Sequence, residues 1–281
     1  MKKILVTTDF SANSKAAMRF AIQLASQCEV ALTFLHISHI LRPTSWNETM
    51  YVTHEKNELD TKREALDQFV EDVYKSREIE PTNYTCIVKI SPFPDSTILD
   101  YAADHRFDYI CISTRGAGTY DKLFGTTTSN LINQSSVPVI AVPGAYRATK
   151  LSTVLYASDL SRLDELKRVV DFARPLSAAV ELLHFHQLNE PVIDADIIGM
   201  AIQKQTDYPV AVQLKPRHLV NMLTEDIETV INAQKPSVLI MFTTQNDGFF
   251  SRLFGAGKSI DYSFLTTIPL LVFSKDHASK K

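Results

Sequence analysis

Residues 255–259 read GAGKS, ending in the Gly-Lys-Ser tail of a phosphate-binding P-loop, whose backbone amides cradle the phosphates of a nucleoside triphosphate. The full pattern needs a glycine five residues before Gly257, where this chain has Arg252. It also needs a strand that runs straight into the loop, and the nearest apolar run, VLIMF at 238–242, ends well short of it. Residue and context both exclude a P-loop. A second stretch, STRGAGTYDKLFGTTTSN at 113–130, has chemistry better suited to an anion. Gly125 followed by Thr126, Thr127 and Thr128 opens a helix, so unpaired amides, hydroxyls and the positive end of the helix dipole converge on one point. Arg115 adds a charged donor beside it. The structural alternative is that Gly116, Gly118 and Gly125 shape a turn while the threonines cap a helix.

Other chemistry-bearing residues read as structure. Asp9 closes an apolar run and precedes Ser11, the arrangement of an aspartate bonding to nearby turn amides. His184 and His186 are two apart on a strand and share a face, but no third ligand is near in sequence, so they read as a polar edge rather than a metal site. Cys28, Cys86 and Cys111 form no CxxC pair and fit a reducing compartment. No nucleophile elbow, cysteine with a histidine partner or carboxylate pair marks a catalytic centre. The run Leu59 to Val73 carries Leu66, Phe69, Val70 and Val73 on one face and reads as a covering helix, not a membrane element.

With 281 residues, 45% hydrophobic and 22% charged, the chain has the makeup of a soluble globular protein of one or two domains. A net charge of -3 with no basic stripe disfavours nucleic acid as a partner. MKKILVTTDF has too short an apolar run for a signal peptide or membrane span, so a cytoplasmic location is expected.

The elements that position these residues emerge from an internal repeat. KKILVTTDFS at 2–11 returns as STVLYASDLS at 152–161, an offset of 150, and LTFLHIS at 32–38 as VELLHFH at 180–186, matching His36 to His184 at an offset of 148. DYICIS at 108–113 returns as SVLIMFT at 237–243 and KLFG at 122–125 as RLFG at 252–255, both at 130, while VPVIAVP at 137–143 returns as IPLLVFS at 268–274. Five matches in one order indicate a tandem duplication whose second copy is shorter by about twenty residues after the second match. We place the domains at 1–145 and 151–277, with the boundary in PGAYRATKL at 143–151.

Each copy alternates short apolar runs with helical patterns, predicting an α/β fold of βαβ units with a parallel sheet. In copy one, a strand at 4–8 precedes a helix capped by Ser11, with Ala16, Ala17, Phe20, Ala21, Leu24 and Ala25 on one stripe. Strand 30–36, a helix at about 55–75, strand 84–90, helix 96–105 and strand 109–113 follow. Copy two repeats the order, with a short second helix and a later one at roughly 218–233. In an open parallel sheet, ligands bind outside the carboxyl ends of the strands, where Thr8, Asp9, Ile37, Ser113 and Gly116 lie.

This order, with an aspartate after the first strand, a glycine-containing loop after the fourth and a final VPVIAVP strand, resembles the universal stress protein domain over nearly all of both copies. Nucleotide-binding members carry G-x-x-G-x(9)-G-[ST] after the fourth strand. On that pattern Ser113 takes the first glycine position, Gly116 the second, Gly125 the third and Thr126 the hydroxyl, with eight residues between Gly116 and Gly125. The resemblance implies two tandem open five-stranded parallel sheets flanked by helices, Rossmann-like and similar to adenine nucleotide alpha hydrolases. It also implies ATP or a related adenine nucleotide in domain 1, with or without Mg2+, with Asp9 at the adenosine end and Thr8 and the backbone near Ile37 beside the base.

Gly255 stands where Gly125 stands, so GAGKS reads as the remnant of the same loop, with Asn246 for Gly116, Gln245 for Arg115 and Ala256 for Thr126. The simpler reading makes domain 2 a structural copy, the alternative being an anion site rebuilt one residue further on from Lys258 and Ser259. The resemblance further implies pairing of the final strands VIAV and LLVF as an intramolecular pseudo-dimer, and the possibility of a homodimer. Three functions stay open: a stress-response sensor that binds ATP and hydrolyses it slowly if at all, a nucleotide-free interaction protein, and an enzyme acting on a nucleotide-like substrate.

Overall fold

β-Branched and aliphatic runs build the strands, and the interspersed amphipathic segments cover them. The computed structural model describes residues 1–40, 43, 45–81, 83–115, 124–186, 194–218, 222–243 and 267–274. The chain separates into two compact units, Met1–Ala148 and Thr149–Lys281.

The first unit runs β1 (Lys2–Thr8), α1 (Ser14–Ala25), β2 (Val30–Ser38), α2 (Glu48–Ser76), β3 (Tyr84–Ile90), α3 (Pro94–Asp104), β4 (Tyr109–Ser113), α4 (Thr126–Gln134) and β5 (Val139–Val142). Its strands lie in the order β3-β2-β1-β4-β5, all parallel. The order reverses direction between β1 and β4, so the loops after these two strands diverge and leave a crevice at their carboxyl ends. Ile4, Leu5 and Val6 of β1 are fully buried, as are Ala16, Ala17, Phe20 and Ala21 on the covering face of α1. A large apolar side chain buried in this way contributes about 1.5–3 kcal/mol.

The second unit repeats the plan with β6 (Thr153–Ala157), α5 (Leu166–Ala173), β7 (Ala179–His186), α6 (Ala195–Gln203), β8 (Val210–Pro216), α7 (Leu223–Gln234), β9 (Val238–Phe242) and β10 (Leu270–Phe273), in the order β8-β7-β6-β9-β10. Again every pairing is parallel. At nine residues α6 is far shorter than α2 at 29, which accounts for the missing stretch of the second copy.

Several boundaries differ from expectation for local reasons. Ser11 does not cap α1: the helix starts at Ser14, and Ser11 instead accepts a hydrogen bond from the Ser14 amide (3.1 Å) inside a turn. The second helix starts at Glu48 rather than near residue 55, because Asn47 caps it by accepting from the Met50 amide at 2.9 Å. The last helix of the second unit starts at Leu223, not near 218, since Arg217 and His218 instead turn toward the buried carboxylate of Asp226.

The repeat offset of 130 read from KLFG and RLFG does not hold in the strands. Val6 pairs with Cys111 and Tyr156 with Ile240, while the amides of Thr114 and Thr243 bond the carbonyls of Val142 and Phe273. Ser113 of β4 therefore corresponds to Phe242 of β9, an offset of 129.

Candidate functional site

The turn after β1 is made by three short side chains. Thr8 Oγ1 accepts from the Phe10 amide (3.1 Å) and Asp9 Oδ1 from the Ser11 amide (3.0 Å), while Phe10 takes a left-handed φ of 61°. Ser14 Oγ donates its one hydrogen to the Ser11 carbonyl (2.8 Å), so the 2.8 Å contact between Thr8 and Ser14 is donated by Thr8. The second unit builds the same turn: Ser158 Oγ accepts from the Leu160 amide, Asp159 from the Ser161 amide, and Leu160 has φ 61°. The carboxylate bonding anticipated for Asp9 as turn chemistry is thus present, and it recurs at Asp159.

His36 anchors this turn from β2. Its Nδ1 lies 2.9 Å from the Thr8 carbonyl, which only accepts, so Nδ1 carries the hydrogen. Phe10 packs over the imidazole at 4.3 Å. Burial holds this histidine below its ordinary value, with Lys62 acting in the same direction, against the opposing Thr8 carbonyl and Asp9. In the second unit His184 is likewise buried, with Nδ1 2.9 Å from the Ser158 carbonyl. His184 is therefore an internal anchor and not the polar strand edge expected from sequence. Among the described residues no group of three His, Cys, Asp or Glu side chains is placed to hold a metal ion.

Above β1 and β4 lies a cavity of about 510 Å³. Thr8, Asp9, Ile37, Ser113, Arg115, Gly125, Thr126, Thr127 and Thr128 all line it. Nine residues singled out along the sequence thus meet at one place, although 105 positions separate the first from Ser113. Gly116 and Gly118 lie outside the described residues, as do Asn246, Gly255 and the rest of GAGKS. The sequence reading missed Thr7, Ser14, Leu35, Pro94, Ile98 and Ile112, which complete the wall. SPFPDS, after the third strand, was a usable signal for Pro94 and Ile98, because a helix following a strand starts at this same end of the sheet.

The polar side is built around α4. Gly125 occupies the N-cap position with φ -61° and ψ 162°, and no side chain caps the helix. The first helical bond runs from Ser129 N to the Gly125 carbonyl (3.0 Å), so the amides of Thr126, Thr127 and Thr128 precede the intrahelical ladder. Two bonds tie this helix start to β4: Gly125 N to the Thr114 carbonyl and Thr128 Oγ1 to the Ser113 carbonyl, each 2.8 Å. Ser113 is 5% exposed, and its buried Oγ has no hydrogen-bond partner. Arg115 has no ion-pair partner among the described residues. Leu35 and Ile37 on β2 and Ile98 on α3 make the opposite, apolar side. Two strand spacings, roughly 10 Å, separate β2 from β4. The arrangement can take a ligand with a flat apolar group at one end and an anion at the other.

Among the described residues, the strand ends at the corresponding place in the second unit carry aromatic side chains. Phe242, standing where Ser113 stands, stacks on Phe273 at 4.9 Å and meets Tyr156 edge-on at 5.7 Å. Tyr156 is buried and its hydroxyl donates to Glu165 (2.9 Å), while the Arg168 guanidinium covers Phe273 at 4.6 Å. Among the described residues, Tyr156, Ser158, Asp159, Glu165 and Phe242 enclose a space of about 10 Å³, room for about one water.

Comparison with known proteins agrees with this architecture. A universal stress protein from Archaeoglobus fulgidus DSM 4304 aligns over 98% of this chain and 98% of its own, at 14% identity and a TM-score of 0.70. A structure described as a putative universal stress protein from Pseudomonas aeruginosa UCBPP-PA14 aligns over 98% of this chain and 93% of its own, at 13% identity and a TM-score of 0.56. At these identities the likeness establishes the fold. No curated protein sequence matches the chain. No described helix is long and apolar enough to cross a membrane. Residues 1–143 match the model of the universal stress protein family, and with the Rossmann-like plan repeated in both units, the chain belongs to that family in a tandem form.

Proposed function

We propose that the first unit binds ATP or a related adenine nucleotide, with or without Mg2+, and that the chain works as a stress-response sensor in the cytoplasm. The observation that carries this reading is the cavity at the reversal of strand order, where the uncapped amides of α4 and the buried, unpartnered Ser113 Oγ line one wall. Phosphates belong at Gly125, Thr126, Thr127 and Thr128 with Arg115 and Gly116 beside them, and the base belongs against Ile37 and Leu35. Thr8 contributes its methyl and backbone, since its one hydroxyl hydrogen is committed to Ser14. Asp9 sits at the adenosine end.

The second unit is read as a structural copy, supported by the aromatic cluster of Tyr156, Phe242 and Phe273 at its strand ends. The reading is a binding role, with at most weak ATP hydrolysis. Calorimetric titration of ATP with Mg2+ into the full chain tests the proposal, with Gly116→Asp placing a carboxylate against the phosphates. One site per chain, abolished by the substitution, is the expected result. A folded chain that binds no nucleotide leaves the interaction-protein reading in its place.

A further inference from the structure

Arg19 in α1, Arg77 at the C-cap of α2 and Arg147 after β5 gather on the first unit, in a chain whose net charge is -3. Their hydrogen bonds all go to neutral oxygens. Arg19 Nη2 donates to the Tyr146 carbonyl (3.4 Å) and Arg77 Nη1 to the Ala148 carbonyl (3.4 Å). Arg77 Nη2 donates to Gln23 Oε1 (2.7 Å) and Arg147 Nη1 to the Ala145 carbonyl (3.3 Å). No carboxylate lies within ion-pair distance of any of the three among the described residues. The Nε atoms of Arg19 and Arg77 are buried without any partner.

Guanidinium groups brought together without an acid repel one another, and buried donors left unpaired add a desolvation penalty. Both effects act on Arg19, which is held below its ordinary value by burial first, then by Arg147 and Arg77. Folding tolerates such an arrangement more readily when an anion completes it. Each guanidinium presents five N–H donors in a planar fork that matches the oxygens of phosphate, and most of these donors are unused here.

We propose that Arg19, Arg77 and Arg147 form a second anion site, for a phosphate-class dianion, on the surface made by α1, the end of α2 and the segment after β5. None of the three lines the nucleotide cavity. The site touches the carbonyls of residues 145, 146 and 148, where the chain leaves the first unit. An occupant therefore reinforces the hold on that segment.

The test is an NMR titration of the full chain with inorganic phosphate, following arginine Nε–H signals at ionic strength held constant with sodium chloride. A parallel arm uses methyl phosphate. Saturable shifts of Arg19 and Arg77 with phosphate alone identify the free ion, and shifts with both probes identify a phosphoryl group carried on a larger molecule. Arg77→Gln is expected to weaken binding about tenfold or more. Arg147→Gln, at an exposed position, is expected to weaken it in the same direction. Ser113→Phe, which fills the nucleotide cavity, is expected to leave it unchanged. No saturable shift overturns the site, as does binding that survives both arginine substitutions or disappears in Ser113→Phe.

Discussion

The Nδ1–H of His36 donates to the carbonyl oxygen of Thr8 over 2.9 Å, and His184 holds Ser158 over the same distance in the second unit. The bond fixes the turn that carries Asp9 to the cavity rim, so the histidine positions the site without lining it. Burial is the main cause of its depressed pKa. The folded protein therefore binds fewer protons at this residue than the unfolded chain, and stability rises with pH. Stability present above the ordinary value of 6.5 is lost as pH falls through the lower folded value. Urea unfolding from about pH 8 to about pH 5 should show this loss, and His36→Gln should flatten it while lowering stability at pH 8 by about 1–2 kcal/mol. An unchanged slope in the variant refutes the assignment.

Ser113 and Phe242 close equivalent strands with opposite effect. Ser113→Phe should abolish nucleotide binding by calorimetry with little loss of stability, because the cavity of about 510 Å³ accommodates the ring. Retained affinity in a folded variant argues against the cavity as the nucleotide site.

Phe242 packs between Tyr156 and Phe273, so Phe242→Ser removes the centre of an aromatic cluster. Large-to-small changes of buried aromatics cost about 3–5 kcal/mol. Denaturant unfolding is expected to show a loss of this size. A loss under about 1 kcal/mol contradicts the packing role given to Phe242.

Thr128 ties the start of α4 to β4 through its hydroxyl bond to the Ser113 carbonyl. Thr128→Val keeps shape and removes the donor, leaving a buried carbonyl unsatisfied, at a penalty of about 1–3 kcal/mol. Nucleotide affinity should fall with stability, since the bond sets the aim of the helix start. Unaltered affinity and unfolding midpoint refute that role.

Lys235 ends α7 in the left-handed region at φ 51° while exposed to solvent. Lys235→Gly removes the Cβ strain and is expected to stabilise the chain by about 0.5–1 kcal/mol in thermal unfolding. A destabilised variant contradicts a strained C-cap.

Much of the fold was legible because its signals are local. Buried parallel strands are nearly continuous apolar runs, so Tyr84–Ile90 and Tyr109–Ser113 were placed to the residue. The start of α2 was not legible because its first turns, ETMYVTH, lack an apolar stripe, and Asn47 alone signals the cap. The end of α1 nearest the site was misplaced because Ser11 has the chemistry of a cap and that of a turn, and the left-handed Phe10 between them decides for the turn.

The sequence by itself determined the alternation of strand and helix, the duplication, and the presence of Asp9, Ser113, Arg115 and the Gly125 loop at carboxyl ends of strands. Polarity, propensity and spacing act between near neighbours, so these features are written in consecutive residues. Which of these residues meet, and what stands opposite them, was decided by strand order and register. Both are long-range properties: a shift of one residue assigns Ser113 to Phe242 rather than to Thr243, and sets a cavity-lining serine in one copy against a residue of an aromatic cluster in the other. The three arginines likewise lie at positions 19, 77 and 147, and only the packing of α1, α2 and the segment after β5 brings their charges together, with no carboxylate at ion-pair distance among the described residues.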